Sequence, residues 1–252
     1  MKYKFELCVT APQGCQVAEE CRLDRIELCS ALSEGGMTPS YGLLHYACSQ
    51  SVYSKVNVLI RPRAGDFIYS TSEIRVMRDD ILRAKDEGAN GVVIGCLNPE
   101  GWLDIKAMEV LLKAAEGMQV TFHRAFDVCA DRIAMLELLI ALKIDHVLTS
   151  GGMGSAQAGI AELAALQQQA KDRITLIAGA GVGPSNIAEI AQLTGIKEFH
   201  FSAKDTIPSQ MQYRNPEVFM GLPGSDEYEL QTTSLTKVIA TIKALCDAQA
   251  QH

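Results

Sequence analysis

Four ionisable side chains interrupt short apolar runs of the kind that form buried strands. Glu6 stands between Phe5 and Leu7, Glu27 between Ile26 and Leu28, Arg61 closes the run NVLIR, and His123 closes VTFH. Strands of a parallel sheet are apolar on both faces, so charges inside them are informative exceptions. Two carboxyls, a guanidinium and an imidazole brought together could bind a small anion and move a proton. They could also form an internal ion-pair network that satisfies only itself. Desolvating several ions in a barrel centre is costly, which favours a site over a stabilising device.

A second group of candidates is rich in glycine. LTSGG ends in Ser150, Gly151 and Gly152, IAGAGV carries Gly179, Ala180 and Gly181, and Ser202 follows the last strand candidate, EFHF. Backbone N–H groups in such loops can cradle phosphate beside a helix N-terminus. The same glycines serve any strand that turns sharply into a helix, and both readings stand. Other chemistries lack their residues. A Schiff-base lysine belongs near the C-end of a strand, whereas Lys4, Lys55 and Lys197 stand at strand starts and Lys204 lies past a strand. No His-x-His occurs for zinc, and His45, His146 and His252 are poorly placed. His200, alternating with Phe199 and Phe201, is expected to point inward. A Mg²⁺ cage would have only Glu6 and Glu27, with Asp127 as a loose third.

The elements that must position these residues alternate along the chain as βα units. Strands are expected at 4–9, 24–29, 55–61, 91–96, 119–123, 146–149, 174–178 and 198–201. Period-2 alternation then puts Glu6 and Cys8 on one face of the first strand, and Glu27 and Cys29 on one face of the second, all facing inward. Thr38 with Pro39, Ser72, Asp104, Asp131, Ser155 and Ser185 can open helices, and Gly88, Gly117 and Gly195 can end them. Eight parallel strands without a GxGxxG after the first fit an α/β fold of the (β/α)₈ TIM-barrel type, a single domain over residues 1–252. Residues 203–230 are too long and too rich in Pro and Gly for an ordinary βα loop. They can form a lid, a homo-oligomer contact or a plain excursion.

The 252 residues carry 23 Lys and Arg against 30 Asp and Glu, a net charge of −7 without a basic run, so neither nucleic acid nor an anionic membrane is an expected partner. No 18-residue apolar run and no signal-like N-terminus is seen, and a cytoplasmic location is expected. Eight cysteines without a Cys-x-x-Cys read as reduced thiols, mostly small buried hydrophobes.

DRIELCSALSEGGMTPSYG (24–42), IRPRAGDFIYS (60–70), GANGVVIGCL (88–97), VTFHRAFD (120–127), VLTSGG (147–152) and EYEL (227–230) closely resemble the CutC family across essentially the whole chain. The resemblance implies a (β/α)₈ barrel, a cytoplasmic location and a part in copper homeostasis, with Cys8 and Cys29 at the positions of the copper ligands. Cu(I) is thiophilic, and two thiolates can hold it. The residues themselves leave a second function open: acid–base catalysis by Glu6, Glu27, Arg61 and His123 on a small anionic, phosphorylated or carboxylated ligand. A barrel that keeps a relic site and acts by contact is the third.

Overall fold

In the computed structural model, which describes residues 3–215, 217–218, 220 and 226–250, eight parallel strands close into a barrel in the order β1 to β8. They are β1 (Lys4–Val9), β2 (Arg25–Leu28), β3 (Lys55–Leu59), β4 (Gly91–Ile94), β5 (Gln119–Phe122), β6 (His146–Thr149), β7 (Thr175–Ala178) and β8 (Glu198–Phe201). The chain alternates them with helices α1 (Pro12–Glu20), α2 (Tyr41–Gln50), α3 (Thr71–Asp86), α4 (Ile105–Ala114), α5 (Arg132–Ala141), α6 (Ile160–Ala170), α7 (Ile187–Thr194) and α8 (Leu235–Ala250). This is the (β/α)₈ barrel that the alternating pattern predicts.

Alternation along the strands sorts side chains into two cores. Leu7, Val9, Ile26 and Leu28 turn outward into the layer beneath the helices, while Cys8, Cys29, Leu59 and Val93 form a small apolar cluster inside the barrel. Parallel pairing sets Cys8 opposite Glu27 on β2 and Glu6 opposite His200 on β8.

Four strands are shorter at their C-ends than the sequence suggests, and Cys29 lies one residue beyond β2. Arg61 lies two residues beyond β3, His123 one beyond β5 and Cys96 two beyond β4. Single ladder-like bonds continue past the strand ends, from Ile60 N–H to Val93 O and from His123 N–H to Ile94 O. Side chains just past strand C-ends are the ones a barrel presents at its mouth.

Four helix starts also shift. Ser40, not Thr38, caps α2, because the Thr38 hydroxyl accepts the Arg61 N–H instead. Ser70, not Ser72, caps α3 in a reciprocal box with Glu73. The helix expected from Ser155 begins at Ile160 after a turn that Ser155 holds, and Asn186 rather than Ser185 precedes α7.

The stretch 203–230 contributes β9 (Lys204–Pro208), which pairs antiparallel with β10 (Glu229–Thr233) outside the barrel. Residues 216, 219 and 221–225 of that stretch, and His252, lie outside the described residues. Gln13 at the start of α1 ties the hairpin down through both the N–H and the carbonyl of Thr233. No helix is long and apolar enough to cross a membrane among the described residues.

The capping box makes a local test. Ser70→Ala removes the acceptor for the Glu73 N–H and should lower unfolding free energy by about 1 kcal/mol in urea titration. A change within experimental error would show the cap to be energetically silent.

Candidate functional site

The barrel interior is built from charge upward. At its N-terminal end Arg25, buried on β2, donates from Nε to Glu6 Oε2 at 2.9 Å and places Nη2 2.6 Å from Glu198 Oε2, off the hydrogen-bond axis. Lys4 closes the other side of Glu198 at 2.9 Å, and His146 Nε2 stands 3.9 Å from it. Burial alone would raise the Glu6 pKa, but the His200 hydrogen bond and the Arg25 charge overcome it and hold the carboxyl at about 2. Glu6 is therefore a fixed anion.

Its second oxygen carries the structure toward the mouth. Glu6 Oε1 meets His200 Nδ1 at 2.8 Å, and His200 Nε2 lies 3.5 Å from Glu27 Oε2. Burial pushes Glu27 up, His200 opposes this, and Glu6 adds to it, leaving the carboxyl at about 7. Burial lowers the His200 pKa, but Glu27 and Glu6 together reverse that and raise it. The ring and the Glu27 carboxyl thus titrate as a coupled pair above an anionic base. Beside them the Cys8 and Cys29 sulfurs are 3.5 Å apart, both buried. The Cys29 hydrogen bond and burial push the Cys8 thiol well above the usual range, with Glu27 and Glu6 adding to the effect. Cys8 Sγ, a Glu27 oxygen and a His200 nitrogen all lie within 4.8 Å of one another.

A cavity of about 350 Å³ opens above this floor, with Cys8, Cys29, Glu27 and His200 at its base and Arg61, His123 and Phe67 in its wall. Of the four charged candidates, Glu27, Arg61 and His123 share it, whereas Glu6 lies one layer deeper and reaches it only through His200. The Arg61 guanidinium is buried and largely committed: Nη1 donates to the carbonyls of Glu34 and Gly36, and Nη2 to Gly65. It clamps the loops after β2 and β3 together. His123 accepts the Ala125 N–H on Nδ1, which leaves the ring proton of the neutral form on Nε2. Burial, then the Arg61 charge, lowers its pKa to about 3, so the ring is neutral.

The two glycine loops separate. The donors of the loop after β6 are spent internally: Ser150 N–H and Oγ, and Gly152 N–H, all donate to Asp127, and Gly151 N–H donates to Thr149 Oγ1. Ser150 and Gly152 thus cradle the chain's own carboxylate instead of an external anion, the Gly151 N–H is spent on Thr149, and Asp127, also bonded by Thr149 Oγ1 and ion-paired with Arg124, is unavailable as a cation ligand. The loop after β7 differs. Ala180 and Gly181 line the cavity with left-handed backbone, Ser202 lines it from the end of β8, and Gly179 stays bonded to Thr149 O behind them.

Sequence reasoning left out Arg25, Glu198 and His146, which hold the floor, and did not count His200 among the site residues. Arg25 shares the inward face of Glu27 by alternation, and that was the available signal. Arg124 and Lys204 at the rim of the cavity had none.

A family model described as the CutC family matches residues 3–205. A Bacteroides thetaiotaomicron protein named as a family protein CutC is 48% identical over 245 residues, covering 97% of this chain and 98% of that one. A human protein named copper homeostasis protein cutC homolog is 45% identical over 237 residues, 94% of this chain and 86% of its own. Among solved structures, a CutC protein of Streptococcus agalactiae is 34% identical with a TM-score of 0.75, covering 79% of this chain and 97% of that chain. Phosphoribosylanthranilate isomerase of Thermotoga maritima, at 11% identity and a TM-score of 0.56, shares the fold.

The neutral His123 gives a pH test. Its folded pKa is about 3 against an ordinary value of 6.5, so between these limits the unfolded chain binds a proton that the folded one does not. Stability gains up to about 1.4 kcal/mol per pH unit from this group as pH rises from 4 to 6, and nothing further above 6.5. Urea titrations over that range should show His123→Gln losing about one proton's worth of slope; an unchanged slope would mean that His123 titrates normally.

Proposed function

The chain belongs to the CutC family, and on that premise we propose that it handles Cu(I) through Cys8 and Cys29 as part of copper homeostasis. The observation that carries this reading is the sulfur pair itself: two buried thiols 3.5 Å apart at the floor of an accessible cavity. Two Cu–S bonds of about 2.2 Å meeting at about 120° require sulfurs about 3.8 Å apart, so a bent two-sulfur arrangement needs only a small separation of the pair. His200 and Glu27 stand near enough to Cys8 to offer a further nitrogen or oxygen donor. All eight cysteines are unpaired, which suits a reducing compartment, and the reading places the protein in the cytoplasm, where copper is carried as Cu(I).

A second reading, acid–base catalysis, is favoured by one arrangement. Glu27 and His200 face the same cavity 3.5 Å apart, with Glu6 fixed behind the ring, as a proton-transfer pair would be mounted. In this reading the thiols are packing, and Glu27 transfers the proton.

Cu(I) titration against a chelator in the presence of glutathione separates the two. Copper handling predicts one tightly held equivalent, lost in Cys8→Ser and in Cys29→Ser. Because binding displaces thiol protons, the apparent affinity should rise with pH through the neutral range. A site that glutathione empties, or one that survives both substitutions, would overturn the copper reading.

A further inference from the structure

Three neighbouring strands of the barrel, β8, β1 and β2, each turn one metal-ligating side chain toward the base of the cavity. Parallel pairing sets Cys8 on β1 opposite Glu27 on β2, and His200 on β8 opposite Glu6, two residues before Cys8 on the same inward face. Cys8 Sγ, a Glu27 carboxylate oxygen and a His200 nitrogen lie within 4.8 Å of one another. Of the two ring nitrogens, Nδ1 donates to Glu6 Oε1 at 2.8 Å, which leaves the Nε2 lone pair facing Glu27 Oε2 at 3.5 Å. Metal-bound histidines are mounted in this way, with a carboxylate behind the ring that fixes the tautomer and strengthens the donor. Glu27 is 5% exposed and lines the cavity, yet it accepts no hydrogen bond among the described residues. A buried carboxylate without donors is costly unless a cation joins it. Cys29 stands apart from the set: its sulfur is 3.5 Å from that of Cys8 but not within 4.8 Å of both other donors.

We propose that Cys8 Sγ, the Glu27 carboxylate and His200 Nε2 hold a borderline divalent cation of the Zn²⁺ class, with a fourth position open to the cavity. Tetrahedral zinc, with bonds of about 2.3 Å to sulfur and about 2.1 Å to nitrogen and oxygen, sets its nitrogen and oxygen ligands about 3.4 Å apart. The 3.5 Å between His200 Nε2 and Glu27 Oε2 already meets that spacing, and the sulfur needs only a small closure onto the ion. One thiolate, one imidazole and one carboxylate form a donor set of mixed softness that suits Zn²⁺, whereas Cu(I) prefers the two sulfurs of Cys8 and Cys29. Three protein ligands with an open side are the arrangement of catalytic zinc sites, where water or an exchangeable ligand takes the fourth position. The cations of the cavity are engaged elsewhere, Arg61 by loop carbonyls and Arg124 by Asp127. Both metals would need Cys8, so one excludes the other, and the divalent site rests on neither reading of the floor given above.

Titration of the full chain with Co²⁺ and Zn²⁺, after chelator treatment and with a phosphine keeping the thiols reduced, tests the site. Co²⁺ serves as the spectroscopic probe. The expected result is one saturable equivalent of Co²⁺ with a thiolate-to-cobalt charge-transfer band and the intense visible absorption of low-coordinate cobalt, both displaced by Zn²⁺. Cys8→Ser should remove the charge-transfer band. Glu27→Gln and His200→Gln should each weaken Co²⁺ and Zn²⁺ binding about a hundredfold or more, beyond the cost of losing an outer-shell partner. Cys29→Ser should keep the band and the affinity, which separates this site from the two-sulfur copper reading, where that change abolishes Cu(I) binding. If Cys8→Ser does not fold, the band in the unsubstituted chain and the two Gln variants decide. No saturable Co²⁺, bound Co²⁺ without the thiolate band, a band that survives Cys8→Ser, or one that disappears in Cys29→Ser would overturn the proposal, as would unchanged affinity in the folded Gln variants.

Discussion

A single carboxylate joins the two halves of the barrel interior. Glu6 gives one oxygen to Arg25 below and the other to His200 above, so that the ionic layer at the N-terminal end and the site at the C-terminal end share a residue. Burying Arg25, Glu6, Glu198 and His200 costs solvation that an apolar barrel would not lose. What the arrangement provides is orientation. With Nδ1 held by a permanent anion, the His200 ring is locked with Nε2 toward Glu27 and the thiol of Cys8. The same anion, close beneath the sulfurs, disfavours free thiolate, so the floor is set for a ligand that brings positive charge.

Above that floor the polarity reverses. The wall carrying Arg61 and His123 is short of negative charge, while the floor holds one fixed carboxylate, Glu6, and one carboxyl, Glu27, whose pKa burial raises to about 7. The cavity thus has a thiol- and carboxyl-bearing floor and a wall that holds the buried Arg61 guanidinium and the neutral His123 ring. Two elements outside the strands keep them apart. Arg61 pins the loops after β2 and β3 by their carbonyls, and Asp127 gathers the loop after β6 into a closed set of hydrogen bonds.

The fold was legible because period-2 alternation is fixed by backbone geometry and apolar composition. It also placed Glu6, Cys8, Glu27 and Cys29 on inward faces, since each sits well inside an apolar run. Arg25, His146 and Glu198 escaped notice because they stand at strand starts, where polarity looks like a solvent edge; only closure of the barrel turns those positions inward. The fate of hydrogen-bond donors was not legible. The glycines after β6 look like a phosphate cradle until Asp127, more than twenty residues earlier, fills it. Arg61 looks like a free fork until three loop carbonyls from two segments converge on it. Both are tertiary meetings without a local pattern. Resemblance to the CutC family pointed to Cys8 and Cys29, and the register of β1 against β2 accounts for their proximity.

The central claim is that Glu6 couples the lower ionic layer to the site as one cooperative unit. A double-mutant cycle between Glu6→Gln and Arg25→Met, read as unfolding free energy in urea, tests it most directly. Each single change leaves a buried charge short of its partner and should cost about 3–5 kcal/mol. The double variant should lose less than the sum by about 2 kcal/mol or more, because the pair acts together. Losses that add within about 0.5 kcal/mol would show that the two groups are independent, and would contradict the account.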